Sequence, residues 1–272
     1  MDSFTRDGLT FPVRDEGPRD GPVVVLLHGF PQTPDAFEDV VPLLTERGLR
    51  TLVPTQRGYA ASASPSARSA YTTAETTADV VALLDAAGAE QAHVVGHDWG
   101  GAPAWAMGAW HPDRVASLTV LSTPHPAAMG KALRSGGQAL RSWYMGFFQL
   151  PVLPELLVRP TIRLMLEQMG CPSSHARRYA AAMSEPGILS GALGWYRAIP
   201  FSRDVPVRRV EVPTTYLWGR RDPALGREAA EGTAHRVGSD YRFVELDEGH
   251  WLPERRSREV ADAVLERALR SA

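Results

Sequence analysis

Short apolar runs rich in β-branched residues recur along the chain, each bounded by glycine, proline or polar turn residues. Continuous apolar runs of roughly four to eight residues are typical of strands buried on both faces of a sheet. The predicted strands are Val23–Leu27, 50–53, 92–95, Val115–Leu121, 214–218 and Tyr241–Leu246. Ahead of them, residues 4–14 predict an antiparallel hairpin at the sheet edge.

The stretches between these strands repeat apolar residues at helical spacing. Residues 72–87 begin at a threonine and stop at Gly88, which are common start and stop signals of a helix. Similar patterns cover residues 100–111, 227–237 and 257–269. Strands that alternate with helices predict an α/β fold whose sheet is mostly parallel and doubly wound.

Residues 125–206 interrupt this alternation. The segment is rich in Trp, Tyr, Met, Leu and Pro, and it contains no run that reads as a buried strand. Its helical segments lie near 137–148, 160–169 and 174–183. We therefore expect a core formed by 1–124 and 207–272, with residues 125–206 as an all-helical cap inserted between two strands.

The composition limits which partners the protein is expected to bind and in which cellular compartment it is expected to work. A formal net charge of -2 on 272 residues gives no excess of either sign to attract nucleic acid or anionic lipid. Cys171 is the single cysteine, so no internal disulfide forms. Neither a signal pattern at the start nor a long apolar run indicates export or a membrane span. These observations predict a cytoplasmic protein and leave the oligomeric state, including a homodimer, open.

One motif lies between a predicted strand and a predicted helix. Residues 96–100 read Gly-His-Asp-Trp-Gly, the glycine-flanked pattern of a nucleophile elbow. The tight turn pushes the side chain of Asp98 out above the sheet, and the following helix directs its positive dipole end towards it. The alternative is an ordinary turn in which Asp98 caps the helix.

An aspartate at this position predicts a different reaction from that of a serine. A carboxylate is already ionised at neutral pH, so it can displace a leaving group from saturated carbon without the help of a base. The product is an ester between Asp98 and the substrate. Water must then hydrolyse that ester, and this second step needs a base.

His250 and Asp222 are the candidates for that base and for the acid that orients it. His250 lies in a loop after the last predicted strand, and Asp222 follows the strand before it. The chain order nucleophile, acid, histidine is a known triad order, and Asp222 would fix the tautomer of His250 and stabilise its imidazolium. Alternatively, His250 is a surface histidine and Asp222 is a turn residue before proline.

Backbone amides could stabilise the tetrahedral intermediate of ester hydrolysis. The His-Gly-Phe-Pro turn at residues 28–31 follows the first buried strand, and its glycine allows a sharp bend. We expect the N–H groups of Phe30 and Trp99 to converge as an oxyanion hole. Alternatively, residues 28–31 form an ordinary turn without a catalytic role. A cis Phe30–Pro31 peptide is also expected, because proline lowers the cost of that isomer.

Together these motifs resemble the α/β-hydrolase superfamily and, within it, the epoxide hydrolases, over nearly the whole chain. The matching stretches are His-Gly-Phe-Pro at 28–31, Gln-Arg-Gly-Tyr at 56–59, Gly-His-Asp-Trp-Gly-Gly at 96–101, His-Pro-Asp-Arg at 111–114, Trp-Tyr-Met-Gly-Phe-Phe-Gln at 143–149, Trp-Tyr-Arg at 195–197 and Gly-His-Trp at 249–251. One departure is the loop 55–62, which lacks the acid and the second glycine of the family pattern Asp-x-x-Gly-Tyr-Gly-x-Ser. That departure leaves the conformation of the loop open.

The resemblance implies two tyrosines in the cap above the nucleophile, and Tyr144 and Tyr196 match them. Opening an epoxide turns its oxygen into an alkoxide, which is a poor leaving group. Two phenols can hydrogen-bond to that oxygen or protonate it. Alternatively, both tyrosines pack the cap core, which is the role expected of the neighbouring Trp143 and Trp195.

The resulting prediction is an epoxide hydrolase that converts a small apolar epoxide into a vicinal diol. The resemblance implies no metal and no organic cofactor. The remaining histidines show no metal-ligand spacing, and Cys171 has no neighbouring group that would activate it.

Two rival functions stay open. A haloalkane or haloacid dehalogenase would use the same nucleophile, Asp98. Haloalkane dehalogenases usually pair the Trp after the nucleophile, here Trp99, with an Asn in the turn or with another Trp, and this turn has Phe30. Fluoroacetate dehalogenases have Arg in place of Trp99. A non-catalytic hydrolase fold could instead act as a ligand receptor, but the full set of nucleophile, acid, base and cap tyrosines argues against it.

Overall fold

The computed structural model describes residues 1–135, 137–202 and 208–270. Its centre is an eight-stranded sheet with the strands β1 Ser3–Arg6, β2 Leu9–Glu16, β3 Val23–Leu27, β4 Arg50–Pro54, β5 Ala92–His97, β6 Val115–Leu121, β7 Thr214–Gly219 and β8 Tyr241–Leu246. Their order across the sheet is β1-β2-β4-β3-β5-β6-β7-β8. β1 and β2 form the predicted antiparallel hairpin, β2 pairs antiparallel with β4, and the other neighbours are parallel. The predicted fold class is confirmed.

Helices cover both faces of this sheet. Within the described residues they are α1 Val41–Thr45, α2 Thr73–Ala87, α3 Gly101–Trp110, α4 Pro126–Ser135, α5 Gly137–Arg141, α6 Trp143–Phe147, α7 Leu153–Val158, α8 Ile162–Gln168, α9 Ser173–Ser184, α10 Ile188–Arg197, α11 Arg227–Gly232, α12 Leu252–Arg255 and α13 Ser257–Arg270. The predicted helix 227–237 is shorter than expected, because a 3-10 turn, Thr233–Arg236, follows α11.

The sheet separates two hydrophobic cores because successive side chains of a strand point to opposite faces. In β3, Val24 and Leu26 belong to the core beneath α1, α13 and the cap helices. Val25 and Leu27 belong to the core beneath α2 and α3. Burial on both faces explains why β3 and its neighbours have continuous apolar sequences.

The helices α4 to α10 all lie between β6 and β7, and the described part of that segment contains no β-strand. The sequence pattern does not predict α10, because Gly191 and Gly194 lower helix propensity. Gly191 instead permits close packing on the core, since a Cβ there would lie 2.4 Å from the carbonyl oxygen of Gly58. On the same helix, Nε1 of Trp195 donates to the carbonyl oxygen of Arg57 at 2.7 Å. α10 is therefore held by the loop whose conformation the sequence leaves open.

Trp143 does not lie in the cap core as expected, because its side chain is 70% exposed. Tyr144 and Phe148 are four residues apart and share the inward side of α6. Trp143 is about 100° away from Tyr144 around the helix. The expectation for Trp143 was wrong, whereas Trp195 is buried as expected.

No helix in the described ranges combines the length and the apolar composition that a bilayer crossing requires.

Candidate active site

Asp98 lies at the turn between β5 and α3. Its φ of +49° falls in the left-handed region, so the turn holds backbone strain that an ordinary residue avoids. Close packing explains two glycines around it. A Cβ on Gly29 would lie 2.3 Å from Cβ of Asp98, and one on Gly100 would lie 2.1 Å from the carbonyl oxygen of Leu27. The turn therefore has the crowded, strained geometry that a nucleophile elbow requires.

Each oxygen of the Asp98 carboxylate has a different neighbour. The N–H of Phe30 donates to Oδ1 at 2.8 Å, and Nε2 of His250 lies 3.5 Å from Oδ2. Oγ1 of Thr123 donates to the backbone carbonyl of Asp98 at 2.7 Å and ties the turn to the chain after β6. Among the described residues no hydrogen bond joins the Trp99 amide to this carboxylate. The part of Trp99 in an oxyanion hole therefore stays a prediction.

His250 and Asp222 lie together, as a triad requires. Nδ1 of His250 is 2.7 Å from Oδ2 of Asp222, whose Oδ1 accepts the N–H groups of Ala224 and Leu225 at 2.8 and 3.0 Å. The acid is thus fixed by its own turn, and the imidazole keeps Nε2 towards Asp98. Both side chains are buried, and burial strengthens the interaction between opposite charges.

Burial and charge act in opposite directions on these groups. Burial lowers the pKa of the His250 imidazole, but the carboxylates of Asp222 and Asp98 together raise that pKa well above its ordinary value. Burial raises the pKa of the Asp98 carboxyl, but the neighbouring His250 and the N–H of Phe30 bring it below its ordinary value. The geometry therefore favours an ionised Asp98 beside a charged imidazolium.

Tyr144 on α6 and Tyr196 on α10 meet with their ring centroids 6.0 Å apart. Tyr196 also packs edge-on against Trp99 and Phe30, with centroid distances of 4.8 and 5.3 Å. Burial is the main reason that the pKa of each tyrosine hydroxyl is raised. Both hydroxyls therefore stay protonated at neutral pH.

Asp98 and the two tyrosines line a cavity of about 750 Å³. Asp98, Trp99, Tyr144 and Tyr196 line its reactive part. Most other lining residues are apolar and include Ala127, Met129, Leu133, Met145, Ile199 and Leu225. The volume and the lining are typical of a site for a small organic molecule.

A buried polar network supports the turn at residues 28–31 from behind. Oε1 of Gln32 accepts the N–H of Gly29 at 2.7 Å, and Nε2 of Gln32 donates to Oε1 of Glu254 at 2.7 Å. The hydroxyl of Tyr179, on α9, donates to the same Glu254 oxygen at 2.7 Å. The network therefore connects a cap helix with the loop that carries the Phe30 amide. The Phe30–Pro31 peptide in that loop is cis, as predicted.

His97 connects this network with the base. Its Nδ1 lies 2.7 Å from Oε1 of Gln32, and its Nε2 lies 2.9 Å from the carbonyl oxygen of His250. Burial lowers the pKa of His97 to about 4. A neutral ring has one N–H, so it donates to only one of these two oxygens, and the other contact is not a hydrogen bond. His97 is thus a structural link between Gln32 and the main chain of His250.

Sequence reasoning assigned no role to Gln32 or Glu254. Glu254 stands four residues after His250 at the start of a short helix, which is a weak signal that it lies near the base. Its partner Gln32 is 222 positions away along the chain. No local pattern predicts a contact at that separation, so only the fold reveals it.

The described residues contain one group of possible metal ligands, formed by Glu38, Asp39 and His175 with ligand atoms within 4.8 Å of one another. The guanidinium of Arg178 bonds both carboxylate oxygens of Glu38, so the protein itself neutralises that charge. We assign the group no metal. Burial raises the pKa of the Cys171 thiol, which therefore stays protonated and unreactive.

Comparison with known proteins identifies the family. The profile of the alpha/beta hydrolase fold matches residues 22–256. The chain belongs to the α/β-hydrolase family. One relative is AB hydrolase superfamily protein YfhM of Bacillus subtilis, 32% identical over 96% of this chain and 94% of that protein.

Two similar proteins within the family have more specific names. Epoxide hydrolase A of Mycobacterium tuberculosis is 33% identical over 96% of this chain and 94% of that protein. The crystal structure of Epoxide Hydrolase A from Mycobacterium thermoresistibile has a TM-score of 0.84 and 28% identity, and the match covers 97% of this chain and 96% of that one. Within its family the chain thus groups with proteins named epoxide hydrolases, as its motifs predict.

Proposed function

We propose that this protein hydrolyses an epoxide to a vicinal diol in two steps, through an ester on Asp98. One observation carries the proposal: Asp98 and two protonated phenols line one largely apolar cavity, and the histidine of an acid–histidine pair lies 3.5 Å from Asp98. Two similar proteins are named epoxide hydrolases, and these names support the proposal.

In the first step, Oδ2 of Asp98 attacks a ring carbon of the epoxide. We assign the attack to Oδ2 because Oδ1 is engaged by the N–H of Phe30. The ring carbon–oxygen bond breaks, and its electron pair passes to the epoxide oxygen. Hydrogen bonds or a proton from Tyr144 and Tyr196 stabilise that oxygen.

In the second step, water hydrolyses the ester. Ester formation removes the charge of Asp98 and with it one of the interactions that raise the pKa of His250. The imidazolium then loses its proton more easily, and neutral His250, oriented by Asp222, removes a proton from water as it attacks Cγ. Negative charge develops on Oδ1, towards which the N–H of Phe30 already points. The Cγ–Oδ2 bond breaks, the His250 imidazolium returns its proton to the leaving Oδ2, and Oδ2 leaves as a hydroxyl of the diol.

A single turnover in ¹⁸O-labelled water tests this route. We expect the label in the Asp98 carboxylate and an unlabelled oxygen in the first diol, because water attacks the ester carbonyl and not the epoxide. In His250→Gln, mass spectrometry should find the ester trapped on the peptide that contains Asp98. Label in the first diol released would contradict the scheme.

The rival functions give different results in the same preparations. Halide release from haloalkanes or haloacids without diol formation would favour a dehalogenase that uses Asp98. If wild type and Asp98→Asn both bind epoxides without turning them over, a receptor would be favoured instead.

The proposal keeps further expectations from the sequence. Residues 125–206 form the cap, whose predicted end at residue 206 lies outside the described residues. The substrate is a small apolar epoxide, and the protein works in the cytoplasm without a cofactor. The sequence leaves a homodimer open, and analytical ultracentrifugation would measure the oligomeric state.

A further inference from the structure

We propose that the substrate is an epoxide that carries an acidic group, such as a carboxylate. Arg236 binds this group inside the cavity, and Arg134 adds attraction from the outer end of the same wall. This inference rests on the proposed function, and it replaces the expected apolar epoxide with one that is apolar apart from its acidic group. The two arginines have no role in the proposed hydrolytic steps.

One face of α4 forms a wall of the cavity. Its lining residues are Pro126, Ala127, Met129, Gly130, Leu133 and Arg134, and their spacing of three and four positions is that of a single helix face. The wall begins near the nucleophile, because Thr123 precedes α4 and bonds the carbonyl oxygen of Asp98 at 2.7 Å. At a rise of about 1.5 Å per residue, Arg134 lies roughly 10 Å farther along the wall than Ala127.

Arg236 lines the same cavity from the 3-10 turn Thr233–Arg236. This turn is tied to the start of α4, because Oγ1 of Thr233 accepts the N–H of His125 at 3.0 Å. The side chain of Arg236 is half-buried, whereas that of Arg134 is exposed. Arg236 is therefore the better placed of the two arginines to hold a ligand group away from water.

The charges around the cavity are unbalanced. Within the described part of the lining, Asp98 is the only acidic residue, and the imidazolium of His250 faces it. Neither Arg134 nor Arg236 forms an ion pair or a side-chain hydrogen bond with another described residue. The cavity therefore has an uncompensated positive charge, which disfavours cationic substrates and attracts anionic ones.

A carboxylate on the substrate would satisfy this unpaired donor. A half-buried guanidinium without a partner is unfavourable, and a carboxylate can accept two parallel hydrogen bonds from it. The apolar wall between Ala127 and Leu133 would contact the carbon chain of the substrate. The acidic group would therefore set the orientation of the epoxide ring towards Asp98, which deepens the mechanism without changing its chemical steps.

The test compares an epoxy acid with its methyl ester on the same carbon chain. For wild type we expect kcat/KM to be about tenfold higher for the acid, chiefly through KM, because a charge-assisted hydrogen bond is lost in the ester. Arg236→Gln should remove most of that preference and Arg236→Lys should keep part of it. Arg134→Gln should reduce the preference about twofold, since exposed charges interact weakly.

Controls separate this preference from general damage. Arg159→Gln removes an exposed cap arginine that does not line the cavity, and it should leave the acid-to-ester ratio unchanged. The effect of the Arg236 variants is measured as the acid-to-ester ratio within each variant, so that a loss of activity common to both substrates cancels. The preference of wild type for the acid should fall as the salt concentration rises.

A binding measurement separates this inference from the proposed function. The saturated acid and its methyl ester contain no epoxide, and their binding can be followed through the fluorescence of Trp99 and Trp195, which line the cavity. Equal affinity for acid and ester, or an unchanged ratio in Arg236→Gln, would overturn the inference while leaving epoxide hydrolysis intact. Preferential binding of the acid without turnover of any epoxide would support the inference and contradict the proposed reaction.

Discussion

The two oxygens of the Asp98 carboxylate have unlike surroundings, and this asymmetry suits both steps of the proposed reaction. Oδ1 accepts the N–H of Phe30, while Oδ2 lies towards His250. Once Oδ2 carries the substrate, Oδ1 becomes the carbonyl oxygen of the ester and keeps its donor. The amide of Phe30 therefore polarises the ester without any rearrangement of the backbone.

The contribution of Asp222 can be measured with Asp222→Asn. The amide keeps an oxygen that can accept the N–H groups of Ala224 and Leu225, so the turn should persist. Because the carboxylate raises the pKa of His250, its loss should lower that pKa and move the acidic limb of the ester-hydrolysis profile to lower pH. The rate should fall about 10²- to 10⁴-fold, since the imidazolium loses its stabilising charge.

Single-turnover kinetics as a function of pH would check this expectation. Ester formation should change much less than ester hydrolysis, so the ester should accumulate in Asp222→Asn. An unaltered rate of ester hydrolysis in this variant would show that His250 does not depend on Asp222.

Tyr144→Phe and Tyr196→Phe should each slow ester formation, by about 10- to 10³-fold, and leave ester hydrolysis nearly unchanged. The reason is that the phenols stabilise the alkoxide only while the ring opens. Because burial raises the pKa of both hydroxyls, no tyrosine ionisation should limit this step at neutral pH. Rapid-quench measurement of the ester gives the rate directly.

Tyr241→Phe is the matched control for these variants. Within the part of the chain that the structure describes, its hydroxyl is buried without a hydrogen-bond partner and Tyr241 does not line the cavity. Its removal should leave both steps unchanged and should not lower stability, because no hydrogen bond is lost. If Tyr144→Phe and Tyr196→Phe behaved like this control, both tyrosines would be packing residues.

At the scale of the elements, local sequence signals were sufficient for the parallel strands and for the elbow. β3, β5 and β7 are short apolar runs that end at glycine or at polar residues, and each ends beside the site. Their carboxyl ends meet at one edge of the sheet, so the order of motifs along the chain predicts which residues come together. The relatives confirm the resemblance that these motifs indicate.

Features that depend on packing between distant elements were not predictable. α10 contains two glycines that weaken a helix in isolation, and it forms because Gly191 packs against Gly58 of the core. The contact of Gln32 with Glu254 joins a loop to a helix far along the chain. The exposure of Trp143 depends on where α6 turns its inner side.

The network between α9 and α12 predicts a dependence of stability on pH. Burial raises the pKa of the Glu254 carboxyl, so the folded state binds this proton more tightly than the unfolded state does. The stability contributed by this proton is present below the unfolded pKa and is lost as pH rises through the folded pKa. Glu254→Gln keeps the acceptor for Gln32 and Tyr179 but has no proton to lose.

We therefore expect Glu254→Gln to become more stable relative to wild type as the pH rises above 4.5, the ordinary pKa of a glutamate. Urea unfolding at several pH values would measure the difference in the free energy of unfolding. Glu46→Gln, at an exposed carboxyl outside the network, should show no such trend. A constant difference for Glu254→Gln would show that Glu254 titrates alike in both states.

At the scale of the whole molecule, the cap helices and the core are joined at separate places. Trp195 donates to the carbonyl of Arg57, Gly191 packs against Gly58, and Tyr179 bonds Glu254 of α12. Much of one hydrophobic core is also shared between the cap and the helices below the sheet. The cap should therefore not unfold independently of the core.

We predict one cooperative unfolding transition in urea. Far-UV circular dichroism and tryptophan fluorescence should give the same midpoint, because Trp105 reports on the core and Trp195 on the cap. Trp105→Phe and Trp195→Phe variants would assign the fluorescence to each part. Separate midpoints for the two tryptophans would mean that the cap opens on its own.

His97 has a consequence for any attempt to alter the enzyme by laboratory evolution. One edge of its ring faces the main chain of His250, the proposed base, and the other faces Gln32, which accepts the N–H of Gly29 in the loop that carries the Phe30 amide. Substitutions that move this ring should therefore displace His250 and the Phe30 amide together. Variation confined to the α4 wall should instead change which epoxides enter while both catalytic steps keep their rates.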